Sequence, residues 1–134
     1  MISRNPINAN RIRRITGSFS WIDHRLLSDG FLSVMAGEEI LLYFFLTLVG
    51  DKNGVSFYSY DKICQLLKMD VDRFVQARNQ LIDKALIACE NGRFQVLQLP
   101  KTVKNPIIVQ QPIPRIQQTK SLADIFKQLA QQPN

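Results

Sequence analysis

Between residues 59 and 99, a short helical period and a longer one flank the three residues Lys68, Met69 and Asp70. Two strand-like runs follow at once around Asn91 and Gly92. No other feature restricts the fold as much. The first period, ending at Leu67, starts from a cap at Ser59 or Asp61 and turns Ile63, Leu66 and Leu67 inward. Asp70 is placed to cap the second, residues 71–85, whose inward set is Val71, Phe74, Ala77, Leu81 and Ile82. A break this short allows only a tight corner, so the two helices must cross one another. Asn-Gly then favours a two-residue hairpin, because a type I′ turn needs positive φ at both central positions. Its strands are expected at 86–89 and 94–99.

The preceding sequence completes the order. Residues 38–49 are apolar almost all round, as in a helix buried on most sides, with Glu38 and Glu39 in the first turn where negative charge suits the macrodipole. The apolar run 40–49 is about half of the ~20 residues that a membrane span needs, so no membrane role is expected. The turn formers of residues 50–54 stop this helix, and Val55, Ser56, Phe57 and Tyr58 give a short strand signal. Upstream, Trp21, Ile22, Leu26, Leu27, Phe31, Leu32 and Met35 imply an extended lead into one or two short helices broken near Gly30. Helix, strand, helix, turn, helix, strand, hairpin, strand is a winged helix-turn-helix topology. The expected fold is mainly α with a small β-hairpin, occupying residues 19–100.

Both ends differ in composition from this domain. Residues 1–18 form a basic arm, with Arg4, Arg11, Arg13 and Arg14 and no acidic residue. Residues 101–119 are a Pro/Gln-rich linker that cannot hold a helix. Residues 120–134 are read as an amphipathic helix and tail, with Leu122, Ile125, Phe126 and Leu129 on one stripe and Ser121 as cap. The formal charge of +6 and the isoelectric point near 9.6 favour a polyanionic partner. Cys64 and Cys89 lack metal or disulfide spacing and are expected to be buried free thiols, as suits a reducing cytoplasm. No apolar stretch follows the first charges, so no secretory leader is expected.

The chemistry-bearing residues lie on the longer helix. Its outward set is Asp72, Arg73, Gln76, Asn79, Gln80 and Asp83, with Arg78 to one side. Arginine, glutamine and asparagine have the geometry for paired hydrogen bonds to purine edges in a major groove. Lys62, Gln65 and Lys68 are candidates for phosphate contacts, which position without specifying sequence. Asn91 and Arg93 stand at the wing tip, and Tyr58 or Tyr60 has a hydroxyl to offer a phosphate. Arg11, Arg13 and Arg14 are suited to an adjacent minor groove. Enzyme readings fail on inventory: His24 is the one histidine, the carboxylates form no pairing suited to a metal nuclease, and residues 50–54 lack a phosphate-loop ending.

Residues 38–43, 54–59, 61–67, 77–82 and 86–88, with the cadence of 59–87 above all, resemble bacterial winged-helix modules. Such modules occur in DnaD-like replication-initiation proteins and in MarR-like and GntR-like regulators. The resemblance covers about half the chain and implies double-stranded DNA binding by residues 71–85 in the major groove. It also implies dimerisation, for which the C-terminal helix is available. No catalytic residue, metal, cofactor or small-molecule effector is expected, and the protein is placed in the cytoplasm at the nucleoid. The alternative is a winged-helix protein-interaction module within a larger assembly, without DNA contact.

Overall fold

The computed structural model describes residues 3–104. The amphipathic helix expected at 120–134 and most of the linker expected at 101–119 lie outside the described residues. Along the chain run α1 (Arg25–Ser28), α2 (Gly37–Val49), β1 (Val55–Ser56), α3 (Tyr60–Leu67), α4 (Val71–Asp83), β2 (Ile87–Glu90) and β3 (Arg93–Val96). Single 3-10 turns stand at Ala9–Arg11 and Leu32–Val34. The strands form one antiparallel sheet in the order β1-β3-β2, with Val55 opposite Gln95 and Ile87 opposite Val96. The architecture is mainly α with a small antiparallel sheet, compatible with a winged helix-turn-helix.

Local chemistry explains the boundaries. The Ser59 hydroxyl accepts from the Lys62 N–H at 3.3 Å and Asp70 Oδ1 accepts from the Arg73 N–H at 2.8 Å, so each helix of the pair opens on a side-chain cap. Asn91 and Gly92 have φ of 49° and 77°, the pair of positive values that a type I′ hairpin demands. In the α2–β1 turn, Asp51 Oδ1 accepts from the N–H groups of Asn53 and Val55 at 2.8 and 3.0 Å. The Val55 and Asn53 donors hold its carboxyl below the ordinary aspartate value. Gly54 has φ +82°, and a Cβ there would lie 2.7 Å from the Val96 carbonyl oxygen, so β1 can approach β3 only through glycine.

The core is one cluster: Leu42, Phe45 and Leu46 of α2, Ile63 of α3, Phe74, Ala77 and Leu81 of α4, Leu86, Ile87 and Phe94 of the sheet region, closed by Leu26, Phe31 and Met35. Phe74 packs on Tyr60 and edge-on to Phe94, with ring centroids 5.1 and 6.3 Å apart. Arg25 ties the start of the domain to its end, its Nη2 donating to the carbonyls of Pro100 and Lys101 at 2.8 and 3.2 Å.

Several expectations need correction. Helix α2 is not buried on most sides: Leu41, Phe44 and Leu48 are exposed. Leu66, Val71 and Ile82 are exposed too, because α3 and α4 each bury only the narrow arc that meets the core. Helix α4 stops at Asp83 rather than Ala85, since Ala85 takes φ 62° and leaves the helix. The strands are Ile87–Glu90 and Arg93–Val96, and β1 is two residues long. Cys64 is half-buried and Cys89 exposed, the latter because β2 runs out beyond the core towards the hairpin tip.

Candidate nucleic-acid interface

Burial of Phe74, Ala77 and Leu81 fixes the rotation of α4 about its axis. With successive residues 100° apart, the outward centre of the helix then falls on Asp72, Gln76, Asn79 and Asp83, all exposed. Arg73 and Gln80 stand on the flank nearest the start of α2. With Gln76, Ala77, Ala36, Glu38 and Glu39 they line a cleft of about 250 Å³. Arg78 stands on the opposite flank, towards α3. The outward face is therefore not a single row of base-reading groups, and its centre carries two carboxylates.

The two arginines differ in freedom. Arg73 lies 3.7 Å from a Glu38 oxygen and 3.9 Å from an Asp70 oxygen, with its side chain 64% exposed. Such loose surface pairs contribute about 0–1 kcal/mol and do not withhold the guanidinium from a phosphate or base. Arg78 is engaged. Its Nη1 donates to the Tyr60 hydroxyl at 3.0 Å, and Nε and Nη2 donate to Asn79 Oδ1 at 3.2 and 3.1 Å. Its guanidinium also stacks 5.7 Å from the Tyr60 ring centre. Reading an adenine edge uses both the oxygen and the amide nitrogen of asparagine. Asn79 must therefore release Arg78 first, whereas the side chain of Gln76 makes no hydrogen bond among the described residues.

The remaining expected positions are scattered around this helix. Lys62 sits in the first turn of α3. Lys68 ends α3 at φ 54°, exposed at the corner of the helix pair. Arg93 faces Glu90 at 3.9 Å across the hairpin, with Asn91 exposed beside them. Arg11, Arg13 and Arg14 are exposed, Arg11 closing the 3-10 turn that Asn8 caps. Tyr60 offers its hydroxyl to Arg78, and Tyr58 packs edge-on to Phe45 at 5.2 Å.

Two features escaped the sequence reading. Glu39 and Lys84 are both buried and form an ion pair, Nζ to Oε1, that joins the first turn of α2 to the end of α4. Lys84 continues the inward 3-4-3 spacing of Phe74, Ala77 and Leu81, which was the available signal. The other is where the charge sits. Residues 19–100 hold eight Lys and Arg against ten Asp and Glu, so the excess positive charge belongs to the flanking segments.

Among the described residues no group of three His, Cys, Asp or Glu side chains is placed to hold a metal ion. No helix among them is long and apolar enough to cross a membrane. Comparison of the chain with models of protein families, with curated proteins and with solved structures finds no match in any of the three.

Proposed function

We propose that this domain binds double-stranded DNA by seating α4 in the major groove, as a transcription regulator or a replication or mobile-element accessory without catalytic activity. The observation that carries the reading is the mounting of α4. One face is locked into the core by Phe74, Ala77 and Leu81, and the opposite face offers Gln76 and Asn79 to solvent, with Arg73 at its N-terminal flank. Gln76 is assigned the base contact, Arg73 a base or phosphate contact near the N-terminus of the helix, and Lys62 and Lys68 phosphate contacts. Duplexes selected from a random pool should compete out non-specific DNA. Gln76→Ala should cost about 1–3 kcal/mol of that discrimination while binding to random duplex stays unchanged. Equal loss on both kinds of duplex would refute the assignment of Gln76.

A second reading, an assembly module without DNA contact, draws on the acidic excess of residues 19–100 and on Asp72 and Asp83 at the centre of the outward face. It requires that the full chain bind no duplex even at low salt.

A further inference from the structure

We propose that the outward face of α2 is where two copies of this chain meet, about a two-fold axis crossing the helix midway between Leu41 and Phe44. The inference stands apart from DNA binding.

The face opposite the buried Leu42 and Leu46 carries Gly37, Ile40, Leu41, Phe44 and Leu48. The four large side chains are 37, 39, 50 and 55% exposed. A surface helix ordinarily turns charged and polar residues to solvent; this one has no charged side chain after Glu39. Two copies can therefore meet here without placing like charges together.

The stripe is also self-complementary in size. An axis between Leu41 and Phe44 runs the two helices antiparallel, sets each Leu41 against the Phe44 of the second copy, and sets each Gly37 against its Leu48. The smallest residue then meets a leucine at both ends and the largest meets a leucine at the centre, the reciprocal pattern of a two-fold interface. Among the described residues no contact or backbone requirement explains Gly37: a Cβ there meets nothing within 4 Å, and its φ is not positive. Gly37 opens α2, and the opposing Leu48 supplies a reason for a residue without a side chain there.

Beside the last turn of α2, where the Ser20 hydroxyl donates to the Leu48 carbonyl at 3.1 Å, Phe19 and Trp21 line a separate cleft with Tyr43 and Thr47. By side-chain size and exposure Ile40, Leu41, Phe44 and Leu48 offer on the order of 400 Å² of apolar area per copy, which when doubled is the small area of a transient dimer.

The test is the mass of the full chain in solution, without DNA, by sedimentation across the micromolar range. A dimer is expected. Phe44→Glu should make it monomeric with unchanged far-ultraviolet circular dichroism. Gly37→Leu should weaken the dimer at least tenfold without lowering the monomer's melting temperature, and adding Leu48→Ala should restore it. The size-swap pair keeps the test decisive if Phe44→Glu fails to fold. A chain monomeric throughout would overturn the proposal, because another partner or the residues after 104 would then cover the face. A dimer indifferent to both Phe44→Glu and Gly37→Leu would overturn it equally.

Discussion

Glu39 and Lys84 are the residues at which a local reading of the sequence is least adequate. Glu39 sits where a helix dipole favours a carboxylate, and Lys84 follows an acidic residue at a helix end; each is unexceptional in its own window. Folding places both in the interior, each less than a tenth exposed, with each other as partner. Removing one charge leaves the other buried without compensation, whereas removing both replaces an ion pair by apolar contact. Lys84→Met should therefore cost about 3–5 kcal/mol in urea or thermal unfolding, and Glu39→Leu with Lys84→Met should lie within about 2 kcal/mol of the parent. Strict additivity of the two single changes would contradict the pairing. Arg78 teaches a related lesson. Its sequence position leaves open a phosphate contact or a carboxylate partner, yet Tyr60, eighteen residues earlier, and Asn79 take its donors. A side chain's availability depends on partners that periodicity does not name.

At the scale of elements, what was legible is what local chemistry dictates. Ser59 and Asp70 as caps, the corner at Lys68 and the Asn91-Gly92 hairpin each follow from a hydrogen bond or a φ requirement confined to a few residues. The end of α4 was misread for a physical reason. Ala85 N–H donates to the Ile82 carbonyl at 2.9 Å and Leu86 N–H to the Leu81 carbonyl at 3.0 Å, with Ala85 at φ 62°. This is a Schellman ending with alanine where glycine is usual, so nothing in the residue type announced it. Burial of Leu86 holds the strained position in place. Ala85→Gly removes a left-handed strain of about 1–2 kcal/mol and adds back part of that as chain entropy. The variant should be more stable by about 0.5–1 kcal/mol, a rise of a few degrees in melting temperature. A lower melting temperature would mean that the Ala85 methyl packs more usefully than its backbone is strained. The exposed stripe of α2 is the opposite case: an apolar helix sequence implies burial, but the pattern does not say whether that burial is within the chain or against something outside it.

For the whole molecule, the net charge of +6 misleads until it is mapped. Residues 19–100 carry more acid than base, while residues 1–18 hold four arginines and no carboxylate. A duplex approaching α4 meets Asp72 and Asp83 as well as Arg73, so the domain itself offers little electrostatic attraction, and counterion release must come from elsewhere. Under the proposed function this divides the labour: α4 is assigned the groups that distinguish bases, and the arginine arm the affinity that does not. The logarithm of the binding constant falls with the logarithm of salt by about 0.9 for each phosphate neutralised. Replacing Arg4, Arg11, Arg13 and Arg14 together by glutamine should therefore flatten the slope on random duplex by about 3–4. Replacing Lys62 and Lys68 should flatten it by no more than about 2. Neither set should change the ratio between selected and random duplex, because phosphate contacts carry no sequence information. If the slope survives both the arm variant and neutralisation of the five Lys and Arg of residues 101–134, the phosphates are held by the folded domain despite its acidic excess. The orientation of the duplex on α4 would then have to bring Lys62, Lys68, Arg73 and Arg93 to the backbone while Asp72 and Asp83 face the groove, where a carboxylate is useful only against the amino group of cytosine or adenine.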